Sequence, residues 1–90
     1  MNIGTWMLIK DANAAQQLVT KSSDQGFWRI SNEGPSVIQM GDKSIQLGPG
    51  STIDVFKDAN TEIKVELAEN GLVARGTYEF LWPAPVRLDS

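Results

Sequence analysis

Polar and apolar residues alternate along much of the chain, and turn-forming residues punctuate the runs. Between Ser36 and Phe56 the sequence reads SVIQMGDKSIQLGPGSTIDVF, three alternating runs separated by Gly41-Asp42 and by Gly48-Pro49-Gly50. A period of two puts successive side chains on opposite faces, so each run predicts a short strand and the three together an antiparallel meander. Thr5 to Lys10 (TWMLIK) is a short apolar run that suits a buried strand. Phe27 to Ser31 predicts another, with Trp28 and Ile30 on the core face and Arg29 outward, and Asn32 to Pro35 predicts a turn after it. Near the other end, Asn70-Gly71 separates two more alternating runs, which is a strong hairpin signal. That hairpin would set Leu67 opposite Ala74, Val65 opposite Gly76 and Ile63 opposite Tyr78, with these residues, Phe80 and Trp82 on one face. Glu62, Lys64, Glu66, Arg75, Thr77 and Glu79 would form the solvated face.

The stretch from Asn13 to Lys21 admits two readings. Asn13 could cap a helix with Gln16 three residues on, and Ala14 to Leu18 has good helix propensity. Against that, Lys10-Asp11-Ala12-Asn13 recurs as Lys57-Asp58-Ala59-Asn60, where it follows a strand and precedes the alternation Ile63, Val65, Leu67. Reading both copies as turns gives a strand from Ala15 to Thr20. The whole then amounts to seven or eight short strands with a turn every eight to twelve residues. This predicts an all-β fold, a small antiparallel β-sandwich that is Ig-like or jelly-roll-like. Residues 1–82 form one domain on this reading. Pro83 and Pro85 cannot donate to a ladder, so residues 83–90 are expected to be an extended C-terminal arm.

Composition narrows the function more than the fold. Ninety residues bury only about 60–65% of the surface their unfolded chain exposes, so a partner or oligomer would help the domain. A hydrophobic content of 41% argues against disorder. The eight Lys and Arg are scattered and the net charge is −3, which argues against a nucleic acid partner, since phosphate backbones call for clustered cations. The first residues carry no basic segment followed by an apolar core, and no apolar run is long enough to span a bilayer. No membrane insertion is therefore expected, and the location expected is cytoplasmic or in a virion.

Little of the sequence points to chemistry. Histidine and cysteine are both absent, which removes the commonest general base, the thiol nucleophile and the usual transition-metal ligands. The acidic residues Asp42, Asp54, Asp58, Glu62, Glu66 and Glu79 fall at turns or outward strand positions, without an apolar pocket to raise a pKa. Asp54, Asp58, Asn60 and Glu62 do not follow the order of an EF-hand loop. A phosphate loop leads into a helix, whereas strands follow Gly41, Gly48 and Gly50, so these are turn glycines and not a phosphate loop. No enzyme activity, cofactor or metal is expected.

Aromatic residues are the remaining signal, seven in all. Trp28, Tyr78 and Phe80 suit a core. Phe56 shares parity with Thr52 and Asp54 and is expected outward, and Trp82 stands beside prolines. Trp6, Phe56, Trp82, Val86 and Leu88 are accordingly the candidate interaction residues, with the arm as the association element. A stacking platform for carbohydrate built on Trp6, Phe56 or Trp82 is the rival use.

The stretches Ile30-Ser31-Asn32-Glu33-Gly34, Val37-Ile38-Gln39 and Ile45-Gln46-Leu47-Gly48-Pro49-Gly50-Ser51-Thr52-Ile53-Asp54-Val55 resemble a pattern of many Ig-like sandwich modules: strand, Asn-x-Gly turn, strand, then Leu-x-Pro-Gly-Ser before the next strand. Such modules are similar to those of phage virion accessory proteins and bacterial surface proteins. The resemblance implies a sandwich fold and a scaffolding role, and carries no catalytic residue over. The expected function is thus a non-enzymatic structural protein acting through protein–protein contacts, by self-association or within a larger assembly. A monomeric inhibitor or adaptor of one host protein and a carbohydrate-binding module are the alternatives.

Overall fold

Alternation becomes eight strands in the computed structural model: β1 (Ile3–Ile9), β2 (Gln16–Val19), β3 (Gly26–Pro35), β4 (Ile38–Met40), β5 (Gln46–Leu47), β6 (Thr52–Lys57), β7 (Ile63–Leu67) and β8 (Val73–Pro83). The structure describes residues 3–11 and 15–83, leaving out the side chains of residues 82 and 83. Residues 16–19 form a strand and not a helix, as the repeated Lys-Asp-Ala-Asn had argued.

The strands form two four-stranded sheets, ordered β1-β8-β3-β6 and β2-β7-β4-β5. Every pairing is antiparallel. Strand one pairs with eight, two with seven, three with six and four with five. That is the wiring of a jelly roll, a long hairpin folded over into a sandwich. Of the two sandwich types open to the sequence, this is the jelly-roll one.

This wiring corrects three expectations. The central meander does not form, because β5 pairs only with β4 while β6 crosses to the other sheet and pairs with β3. Asn70-Gly71 does not close a hairpin either: β7 and β8 lie in different sheets. The Gly71 amide bonds the Ala68 carbonyl at 3.0 Å, and Asn70 alone in that turn has positive φ, 71°, the type II pattern rather than the hairpin's type I′. The second Lys-Asp-Ala-Asn is likewise a crossing between sheets. Third, Asn32 to Pro35 is strand rather than turn. β3 runs through them with a bulge between Asn32 and Gly34 and a cis Gly34–Pro35 bond.

Parity nonetheless told inside from outside. Trp6, Leu8, Trp28, Ile30 and Ala74 of one sheet meet Leu18, Val19, Ile38, Met40, Leu47, Ile63 and Val65 of the other. Tyr78, Phe80, Ile53, Val55 and Leu67 pack around them. Ile63, Val65 and Leu67, expected beside Ala74, Tyr78 and Phe80 on one face of a β7–β8 hairpin, therefore meet them across the sandwich. Two polar side chains are buried with them and fully bonded. Asn32 donates to the carbonyls of Ser36 and Leu47, each at 2.9 Å, and accepts from the Gly34 amide at 2.8 Å. The Lys57 ammonium donates to the carbonyls of Lys21, Ser23 and Asp58 at 2.8–3.1 Å.

Candidate interaction surface

Each sheet has two edges, so four strands carry backbone groups without a ladder partner among the described residues: β1 and β6 in one sheet, β2 and β5 in the other. Native proteins guard such edges with charge, proline, bulges or brevity. β5 is two residues long and β2 is four with a register shift. β6 carries Asp54 outward, paired with Arg29 of β3 through bonds of 2.9 and 3.2 Å. β1 has none of these guards: Ile3 to Ile9 reads IGTWMLI, seven residues without a charge or a proline.

Both faces of β1 are apolar. Trp6 and Leu8 point inward and are buried, while Ile3, Met7 and Ile9 point outward at 55%, 54% and 49% exposure. The Lys10 amide bonds the Leu72 carbonyl at 2.8 Å, which sets Leu72, 64% exposed, at the end of the same strand. Four of the seven exposed large hydrophobic residues among those described thus lie along one edge. That same bond fixes the direction of the backbone groups. In an antiparallel pair they alternate between the partner side and the open side. Since Lys10 bonds to the β8 side, so do Leu8, Trp6 and Gly4, and Ile3, Thr5, Met7 and Ile9 aim their N–H and C=O at the open edge. Ile3, Met7 and Ile9 thus combine exposed apolar side chains with backbone groups that have no partner among the described residues.

Next to this edge the outer face of the sheet is polar and ordered. Thr5, Thr77, Ser31 and Thr52 form one row across all four strands, and Ile3, Glu79, Arg29 and Asp54 form the next. Ser31 and Thr52 share a hydroxyl bond of 3.2 Å. The two hydrogen bonds from Arg29 hold the Asp54 carboxyl below the ordinary carboxylate range, and Asp54 in turn raises the guanidinium pKa.

The residues singled out from the sequence are placed as follows. Trp6 is core, 2% exposed, with its indole N–H donating to the Thr77 carbonyl at 3.2 Å, so it offers no surface to a partner or a sugar. Phe56 is 42% exposed, outward as its parity implied, and meets Phe27 edge-on at 5.4 Å. Trp82 belongs to β8, where its backbone pairs with Phe27; its side chain, and Val86 and Leu88 with the rest of residues 84–90, lie outside the described residues. Sequence reasoning missed Ile3, Met7, Ile9 and Leu72. The available signal is that TWMLIK is apolar at both parities: such a run suits a buried strand, but here only one of its faces is covered.

A cleft of about 360 Å³ opens between the sheets at the β4–β5 turn, lined by Met40, Asp42, Ile45, Val55, Glu62 and Lys64 among others. Its polar groups are satisfied within the protein. Asp42 accepts from the Ser44 amide and hydroxyl, and Glu62 is bonded by Lys64 and Gln17; both carboxyls are held below their usual pKa by these donors. Among the described residues no group of three or more acidic side chains could hold a metal ion, and no helix is long and apolar enough to cross a membrane. Compared with protein-family models, curated proteins and solved structures, the chain matches none.

Proposed function

We propose that this protein is a non-enzymatic structural or interaction protein, an assembly subunit whose contact surface is the outer face and open edge of β1. The observation that carries this reading is the coincidence, on one unguarded strand, of exposed Ile3, Met7 and Ile9 with backbone groups aimed outward. Exposed rows of this kind on a small domain mark a contact site. A virion accessory role is supported by analogy of fold alone, since eight-stranded jelly rolls also build lectins and cupins. A carbohydrate platform has less behind it: Trp6 is buried and Phe56 is engaged by Phe27.

The test is the double variant Met7→Glu with Ile9→Lys. Both positions point to solvent, so the variant should keep its fold, read as an unchanged β-sheet circular dichroism spectrum. Retention on a phenyl-substituted hydrophobic column should fall sharply relative to the unmodified chain, and so should any association seen by light scattering. A folded variant matching the unmodified chain in both measurements overturns the reading.

A further inference from the structure

We infer that the partner at this edge is a second copy of the chain, joined β1 to β1 across a two-fold axis that passes through Thr5. The inference rests on the preceding assignment of β1 as the contact strand and adds the occupant and its register.

Two-fold pairing of an edge strand with itself is antiparallel and self-complementary. Because the open-side backbone groups belong to Ile3, Thr5, Met7 and Ile9, hydrogen-bonded pairs must join odd-numbered residues to odd-numbered residues. Three registers satisfy this with most of the strand engaged, and charge on the neighbouring strand β8 separates them. Arg75 stands beside Met7 and Glu79 beside Ile3. Arg75 is exposed and makes no ion pair among the described residues, although Glu33 lines the same hollow.

With Met7 on the axis, Arg75 of one copy shares a row with Arg75 of the other, a like-charge arrangement. With Trp6 on the axis, the row of Arg75 meets that of Thr77, and no charge is answered. With Thr5 on the axis, Ile3 opposes Met7 of the second copy, and the row reads Glu79, Ile3, Met7 of the second copy, Arg75 of the second copy. Symmetry repeats it. The two charged residues are then three strand spacings apart, about 14 Å between Cα atoms. Their long side chains can lean over the Ile3–Met7 pair and cover it while keeping their charges in water. This register makes about six backbone hydrogen bonds, against about eight with Trp6 on the axis, but it alone sets Glu79 and Arg75 of the two copies in one row, and it joins the Thr5–Thr77–Ser31–Thr52 rows of both copies into one. The opposite edge is less suited to the same use, because a two-fold at β6 centred on Asp54 sets that carboxylate against itself.

The chain has no cysteine, so a single introduced thiol reports on one position. Paired strands bring opposed Cα atoms to about 5.5 Å, within disulfide reach. Under mild oxidation Thr5→Cys should give a disulfide-linked dimer. A mixture of Ile3→Cys and Met7→Cys chains should cross-link several-fold faster than either alone, and Phe56→Cys, exposed on the other edge, should lag behind. Thr5→Lys, which sets like charges on the axis, should be monomeric in sedimentation under conditions where the unmodified chain is dimeric; it also stands in if the cysteine variant does not fold. Equal cross-linking at Thr5 and Phe56, or no advantage for the Ile3–Met7 mixture, overturns the register. An unmodified chain that sediments as a monomer at all concentrations overturns the second copy as partner. Neither result touches the contact-surface reading, which fails separately if the folded Met7–Ile9 double variant matches the unmodified chain both in retention on the phenyl column and in light scattering.

Discussion

Lys57 shows how a residue's surroundings override its type. Its side chain is wholly buried, yet its ammonium meets no carboxylate; three main-chain carbonyls from two loops converge on it instead. A buried cation is tolerable only when its donors are all used. Lys57→Met keeps the apolar stem but strands three acceptors, and should cost about 2 kcal/mol or more in urea unfolding. Lys57→Arg should not rescue it, since a planar fork cannot aim three donors from one tip. Asn70 is a second case. It adopts φ 71° where a β-carbon is disfavoured, so Asn70→Val should destabilise by about 1–2 kcal/mol whereas Asn70→Gly should be tolerated. A type I′ hairpin turn would require positive φ at Gly71 as well. A β-carbon there would instead meet the Ala68 carbonyl at 3.1 Å without positive φ. Buried polar residues such as Lys57 and Asn32 were not legible in the sequence, because their partners are carbonyls delivered by other parts of the fold.

Strand parity was the most legible feature, and strand partnership the least. Alternation placed Trp28, Ile30, Ile63, Val65 and Ala74 inside and Arg29 and Phe56 outside, all as found. It could not place Trp6 or expose Met7, because β1 is apolar at both parities and either face could have been the buried one. Turn chemistry says that the chain reverses, not which strand it reverses onto. Among the described strands six of the seven connections switch sheets, and only β4 to β5 is a hairpin. Two element-scale consequences can be measured. β8 crosses between β1 and β3 at Gly76, where a β-carbon would overlap the Ser31 carbonyl and the Trp6 ring. Gly76→Ala should therefore cost about 3 kcal/mol or more, or prevent folding, as read from the urea midpoint. The β3–β6 pair also carries an acid-sensitive link. Asp54, like Asp42 and Glu62, has its pKa lowered by folding, Asp54 chiefly through the hydrogen bonds from Arg29. A carboxyl with a depressed folded pKa contributes stability that is present above its unfolded value, near 4, and lost as pH falls through the folded one. Melting temperature should thus decline below about pH 4, and Asp54→Asn should flatten part of that decline. An identical acid limb in the variant would mean that this exposed pair is screened to insignificance.

At the scale of the molecule, the wiring orders the events of folding. The β4–β5 rung closes a short loop, with Ile38 opposite Leu47, whereas the β1–β8 rung brings Ile3 opposite Glu79 and closes nearly the whole described chain. Loop-closure entropy grows with the length closed, so the inner rungs should form before the outer one, and the overall rate should fall in the millisecond-to-second range of non-local β folds. Buried residues on the two rungs give the test. Ile38 and Leu8 are both fully buried, and truncation of either to alanine should cost about 2–5 kcal/mol, enough for a reliable partition between rates. Ile38→Ala should mainly slow folding and Leu8→Ala mainly speed unfolding, as measured by stopped-flow tryptophan fluorescence. The reverse assignment would mean that the chain ends pair first. Then β1 would be paired with β8 early, with only its outer edge left open while the rest of the sandwich assembles. If the expected order holds, β1 is the last strand to dock. Until it docks, both of its edges are unpaired, so partly folded chains as well as folded subunits present this uncharged strand to other copies.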